Sequence, residues 1–212
     1  MQMKMEHKSI TPKILITAFD PFGGESINPA LEAVMQLPDE LDGIVIIKRE
    51  LPTVFDKSAE ILRQILEEVR PDAVISVGQA GGRTGITIER VAINIDDARI
   101  EDNAGVKRED SPIEPAGPAA YFSTLPIKTI AADLKEAGIP AAVSDSAGTF
   151  VCNHIMYSAL HYAAIKQPGL KAGFVHIPYL PQQVVDKPRV ASMGGDIVVV
   201  GLKVIIKSVV MG

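Results

Sequence analysis

Two hydrophobic periods alternate along the chain. Short apolar runs of strand length occur at residues 13–18, 44–48, 73–77, 140–143 and 172–177. Between them lie stretches whose apolar positions recur every three or four residues, the spacing of an amphipathic helix. The clearest is 54–69, where Val54, Phe55, Ala59, Ile61, Leu62, Ile65, Leu66 and Val69 fall on one stripe and Pro71 stops the pattern. Asn28-Pro29 opens an earlier helix, with Asn28 as cap and Pro29 at the first position, and Pro38 ends it. Further helices are expected at 127–137, closed by Gly138, and at 152–166. Residues 86–95 read as one more strand. The last apolar segment has the β-branched content of a strand, but Ile197, Val200, Val204 and the Ile205/Val209 pair keep helical spacing, so a helix is expected.

Strands alternating with amphipathic helices predict an α/β fold: one domain over 13–212, with three α/β/α layers around an open, twisted, mostly parallel sheet. Residues 1–12 are expected to form a disordered tail. The charged, glycine- and proline-containing stretch 101–118 is expected to be a mobile surface loop flanking the site. Ligands in such folds bind beyond the carboxyl ends of strands. That places the site among the loops 19–24, 78–85, 144–152 and 176–181.

Composition narrows the chemistry. The chain has 212 residues, a formal net charge of -5 and one cysteine. A mild acidic excess without a basic stripe argues against nucleic-acid or anionic-membrane partners. A single cysteine excludes an intramolecular disulfide framework and a multi-cysteine zinc site, which fits a reducing, cytoplasmic setting. No apolar leader is seen at the N-terminus, and the apolar stretch 197–210 is too short and too interrupted by lysine to span a bilayer.

The lone cysteine, Cys152, stands where the 144–152 loop enters an apolar helix. A free cysteine is by default a small buried hydrophobe. At a helix N-terminus, however, the oriented N–H groups favour a thiolate and can also bind a developing oxyanion. A thiol nucleophile needs a base. His7 lies in the tail. His154 and His161 would project roughly 200° and 180° away from Cys152 on the same helix. His176 ends an apolar strand and precedes Ile-Pro-Tyr, so it sits at the expected edge of the sheet. A carboxylate could fix its tautomer, and Glu89, Asp145, Asp20, Asp96 and Asp97 all compete for that role. The glycine-rich stretch 78–85 lacks the lysine of a phosphate loop and precedes a strand, so a sharp turn beside a substrate suits it better. Phe19 and Phe22 flank the first strand's end, either as core or as an apolar wall for a small ring.

Three blocks of the sequence resemble the pyroglutamyl peptidase I family. They are Phe19-Asp-Pro-Phe-Gly-Gly with Asn28-Pro29; residues 78–94; and residues 143–153 with Val175-His-Ile-Pro-Tyr179. The resemblance covers most of 13–193. It implies a cysteine exopeptidase that removes N-terminal pyroglutamyl residues from peptides without metal or organic cofactor. Its implied triad is Cys152 as nucleophile, His176 as base and Glu89 as orienter. Arg99 is implied near the oxyanion, and Phe19, Phe22, Gln79, Phe150 and Val151 are implied around the substrate. A homotetramer is also implied. Asp145 departs from the family's neutral residue, and its charge is expected to raise the thiol pKa if it lies close. Two other functions compete from different classes. A nucleoside-phosphorylase-like transferase would hold phosphate on the glycine loop, and a noncatalytic metabolite-binding domain would keep Cys152 merely buried.

Overall fold

Alternation along β1 (Lys13–Phe19) decides the layers. Ile14, Ile16 and Ala18 point into one apolar cluster, while Leu15 and Phe19 point into a second. Both faces of the strand are therefore covered. The computed structural model describes residues 11–212. Most of the expected N-terminal tail, including His7, lies outside the described residues.

The elements continue as α1 (Pro29–Met35), β2 (Glu40–Leu41), β3 (Ile44–Leu51), α2 (Phe55–Val69), β4 (Ala73–Gln79), β5 (Ile86–Glu89), β6 (Val91–Ile93), β7 (Ala120–Phe122), α3 (Ile127–Glu136), β8 (Ala141–Ser144), α4 (Val151–Ile165), β9 (Lys171–Ile177) and α5 (Gly195–Met211). Seven strands form one sheet in the order β2-β3-β1-β4-β9-β5-β8, and β6 pairs with β7 as a separate ribbon. The β1/β3, β1/β4, β4/β9 and β5/β8 pairs are parallel; β2/β3 and β5/β9 are antiparallel. Helices α1, α3 and α5 cover one face, and α2 and α4 the other. The expected three-layer, mostly parallel architecture is what the chain adopts.

Local signals explain most of the boundaries. Asn28 Oδ1 accepts the Ala30 N–H at 3.0 Å, and Pro29 takes the first helical position. Arg70 closes α2 in the left-handed region, at φ 46°, directly before Pro71. The α2 stripe buries Phe55, Ala59, Leu62 and Leu66; truncating a buried leucine such as Leu66 to alanine costs about 2–5 kcal/mol. The final apolar segment is helical because Val198, Leu202, Ile205, Ile206 and Val209 share a face against the sheet. Gly201 lets that helix come close: a Cβ there would stand 2.5 Å from Ile86 Cδ1 on β5.

Two expectations change. The single strand over 86–95 breaks at Arg90, whose N–H donates to the Ser144 carbonyl at 2.8 Å. Beyond it, β6 leaves the main sheet and is held instead by Asn153 on α4. That side chain accepts from Ile93 N–H at 3.0 Å and donates to the carbonyls of Ile93 and Ile95 at 2.9 and 3.0 Å. The 101–118 stretch is also tied down rather than free. Asp102 accepts from the N–H groups of Ala104, Val106 and Phe55. Asn103 donates to Asp20 and to the Pro21 carbonyl, and Asp96 exchanges backbone bonds with Ser111. Among the described residues no helix is long and apolar enough to cross a membrane.

Candidate functional site

Strand β9 places His176 at its carboxyl end, opposite Gly78 on β4 and Thr87 on β5. The residue is 4% exposed. Its Nδ1 lies 2.7 Å from Oε1 of Glu89, the last residue of β5, which is fully buried. Among the five acids that spacing left open, Glu89 is the one bonded to this histidine. Asp96 instead holds His154 Nδ1 at 2.8 Å, Asp20 accepts from the Thr53 N–H, and Asp97 exchanges bonds with Thr149 through its backbone. Asp145 is exposed and pairs with Arg90 at 2.5 Å.

Glu89 has a second partner that no motif announced. Arg83 Nη1 lies 2.6 Å from the same Oε1, and it also contacts the Thr87 hydroxyl. The other oxygen, Oε2, is buried and has no hydrogen-bond partner among the described residues; the Ser144 hydroxyl, which donates to the Ser146 carbonyl at 3.2 Å, still lies near enough to favour the carboxylate. Burial alone would push the Glu89 carboxyl up, but His176, Ser144 and Arg83 outweigh it and hold the acid below its ordinary value. Burial pushes His176 down, against the pull of Glu89 and with a small contribution from Arg83. At neutral pH the pair is therefore a carboxylate and a neutral imidazole. The Nδ1–H then donates to Glu89, leaving the Nε2 lone pair free to accept a proton.

Cys152 lies in the first turn of α4, capped by Phe150 in extended conformation. A Cβ on Gly78, the register partner of His176, would stand 3.0 Å from Cys152 Sγ, so the thiol lies against the end of β4 that pairs with His176. Burial pushes the thiol up to about 12; Glu89's charge adds to this, while Arg83 and the Cys152 backbone N–H oppose it. The helix terminus thus favours the thiolate, as expected, but desolvation wins. The carboxylate that acts on the thiol is Glu89 and not Asp145, which is exposed and paired with Arg90.

The remaining candidates separate into core and rim. Phe19 is 2% exposed and stacks on Phe174 at 6.2 Å between centroids, and Val151 is likewise buried. Phe22 and Phe150 are half-buried and face each other at 6.2 Å. Gln79 is half-buried at the end of β4. Arg99 is exposed, on a segment anchored to Thr149 through Asp97. His161 bonds the Tyr121 hydroxyl at 2.9 Å, away from the thiol. Among the described residues no three His, Cys, Asp or Glu side chains gather as a metal site. Arg83 was not legible beforehand: an arginine inside a glycine-rich turn carries no periodic signal.

Comparison with known proteins bears on the family and the fold. The family model for pyroglutamyl peptidase matches residues 12–211. The chain is 58% identical over 198 residues to a pyrrolidone-carboxylate peptidase of Streptococcus pyogenes, covering 93% of this chain and 92% of that one. It is 55% identical over 199 residues to the enzyme of the same name from Clostridium perfringens, covering 94% and 93%. The crystal structure of pyroglutamyl peptidase I from Bacillus amyloliquefaciens superposes with a TM-score of 0.93 at 45% identity, covering 96% of this chain and 97% of that one. A mutant pyrrolidone carboxyl peptidase from Pyrococcus furiosus superposes with a TM-score of 0.91 at 47% identity, covering 94% and 98%.

Proposed function

The chain belongs to the pyroglutamyl peptidase family, and on that premise we propose that it hydrolyses the amide bond after an N-terminal pyroglutamyl residue, with Cys152, His176 and Glu89 as a catalytic triad. The observation that carries the assignment is the buried His176–Glu89 pair at 2.7 Å, set beside the only cysteine at the start of a helix.

The reaction follows from the protonation states. Cys152 rests as a thiol and His176 as a neutral base. As Sγ attacks the pyroglutamyl carbonyl carbon, its proton passes to His176 Nε2, and Glu89 stabilises the imidazolium that forms. The carbonyl oxygen becomes an oxyanion against the N–H groups at the start of α4, with Arg99 near it. His176 then gives its proton to the leaving amine nitrogen, the C–N bond breaks, and a thioester remains on Cys152. Water loses a proton to His176 and adds to the thioester; sulfur leaves and takes the proton back, and pyroglutamate is released. No redox partner is needed.

Substrate chemistry fits the lining. Pyroglutamate carries no ammonium, since its nitrogen is an amide within a five-membered ring. An apolar wall with few polar groups suits it; the half-buried Phe22 and Phe150 would supply that wall, with Gln79 at the end of β4 and with Phe19 and Val151 buried in the core. A cytoplasmic setting and a homotetramer complete the proposal. Purified protein should cleave a pyroglutamyl-amide reporter in phosphate-free buffer, lose activity with iodoacetamide, and lose at least about 10³-fold in kcat as Cys152→Ser. A requirement for phosphate, or activity indifferent to alkylation, would sink the assignment.

A further inference from the structure

Three polar side chains share the α4 face of the sheet. Alternation turns Ile86 and Ile88 of β5, Val175 and Ile177 of β9, and Ala141 and Val143 of β8 into the cluster under α1, α3 and α5. Glu89, His176 and Ser144 are each next in sequence to one of these, so they point to the opposite face, where Cys152 packs. Strand β5 lies between β9 and β8. Glu89 therefore has His176 on one side, paired with Thr87 two residues earlier, and Ser144 on the other as its direct register partner.

The two oxygens of Glu89 are unequally served. Oε1 takes both His176 Nδ1 at 2.7 Å and Arg83 Nη1 at 2.6 Å, while Oε2 is buried with no partner among the described residues. A buried carboxylate oxygen left so is costly. The neighbouring donor is the Ser144 hydroxyl, whose proton rotates about the Cβ–Oγ bond. At present it serves the Ser146 carbonyl at 3.2 Å. Turning it away would not orphan that carbonyl, which also accepts from Arg83 Nη2 at 3.4 Å and belongs to an exposed residue.

We infer that Ser144 is a positioning residue of the triad: its hydroxyl turns from the Ser146 carbonyl to Oε2 of Glu89 and keeps that acid a carboxylate while His176 carries the proton taken from Cys152. The reason is competition for a proton. An acid with one oxygen unanswered binds a proton more tightly, and the Nδ1 proton of the imidazolium would pass to it. That would leave a neutral imidazole at Nε2, a poor acid for the leaving amine. With Oε2 bonded, the charge stays on Glu89 and the imidazolium stays acidic. The balance of forces on the acid agrees: burial pushes it up, and His176, then Ser144 and Arg83, pull it down and prevail. Arg83 and Glu89 are the charged groups that act on the imidazole, and Cys152 is the titratable group beside it. Asp145, next to Ser144, is exposed and paired with Arg90.

The inference rests on the proposed peptidase reading, and the two fail separately. Wild-type protein that cleaves no pyroglutamyl reporter defeats the reading. Titration of the His176 imidazole by NMR, assigned through His176→Gln, needs no turnover and still judges Ser144. Removing the hydroxyl raises the proton affinity of the pair. In Ser144→Ala the imidazole titration and the acid limb of kcat/KM should both move to higher pH, by about 0.5 to 1. Ser144→Thr keeps the hydroxyl and should restore both to within about 0.2 of wild type. In a Glu89→Gln background, Ser144→Ala should leave the imidazole titration where it was, since no carboxylate remains to be held. Thermal melts establish that each variant is folded; should Ser144→Ala fail to fold, Ser144→Cys, whose thiol is a weak donor, takes its place with the same expected direction. An unmoved titration in the folded variant overturns the inference, as does an equal shift in Ser144→Thr or a shift that persists beside Glu89→Gln.

Discussion

Gly78 and Cys152 touch across the gap between β4 and α4: a Cβ on the glycine would stand 3.0 Å from the sulfur and 2.9 Å from the Phe174 ring. Neither neighbour can retreat easily, since Phe174 is fully buried and Cys152 is fixed by the first turn of α4. Gly78→Ala should therefore push the thiol away from His176. A loss of about tenfold or more in kcat/KM is expected, together with about 1–3 kcal/mol of stability from overpacking. Kinetics and chemical denaturation of the same preparation check both parts.

The resting form of the thiol can be read by alkylation. Burial and the Glu89 carboxylate push Cys152 up to about 12, and His176 is pushed down by burial, so both are neutral at pH 7. Iodoacetamide should react slowly at pH 7, and the rate should keep climbing through pH 10. In the unfolded chain it should level off above about pH 9. Glu89→Gln should speed the reaction at fixed pH by removing the charge that opposes the thiolate. A plateau reached by pH 7 would instead mean a stable thiolate–imidazolium pair.

Arg83 should set the acid limb of the pH–rate profile. His176 must be neutral to act as base, so kcat/KM falls as pH drops through its folded-state pKa. Burial lowers that pKa first; the Arg83 charge lowers it further, and Glu89 raises it. Removing Arg83 therefore raises it, and the acid limb of Arg83→Ala should shift to higher pH. Arg83→Lys keeps the charge and should shift less. An acid limb shifted downward in Arg83→Ala would contradict the electrostatic argument.

The 101–118 segment should be ordered through Arg108. That guanidinium donates to the fully buried Asp96 at 2.8 Å, pairs with Asp56, and lies 4.9 Å from the centre of the Phe55 ring. Arg108→Ala leaves the Asp96 charge with His154 alone. A loss of about 3–5 kcal/mol is expected, from breaking a buried pair. Amides of Ala104, Val106, Ser111 and Glu114, each of which has an acceptor, should resist hydrogen exchange in wild type and lose protection in the variant. Rapid wild-type exchange at all four would show the segment to be mobile after all.

Much of this was legible in the sequence because the layers follow from periodicity. The α2 stripe, the Asn28-Pro29 cap and the C-terminal helix all reappear as read. Elimination among the histidines pointed to His176, which the fold sets near the carboxyl end of β9 against Glu89, while His154 and His161 bond Asp96 and Tyr121. The choice of acid was different. Glu89 reaches His176 through the antiparallel β5/β9 pairing, and strand order is a long-range property that no local pattern encodes. Asp96 illustrates the same limit: its histidine partner is His154, 58 residues away in sequence. The break at Arg90 was missed because Val91, Ala92 and Ile93 look like more of the same strand, while Asn153, the side chain that diverts them, lies on α4.

The close approach of Gly201 to Ile86 has a consequence for the order in which the protein is completed. Ile86 and Ile88, the inward side chains of the strand ending in Glu89, share a cluster with Val198, Leu202 and Ile205 of α5. The helix that covers this strand comes last in the chain. While a ribosome still holds those residues, β5 has only α3 as cover on that face, and the strand that ends in Glu89 is incompletely packed. A nascent chain short of α5 thus carries Cys152 and His176 before the layer behind the Glu89 strand is complete.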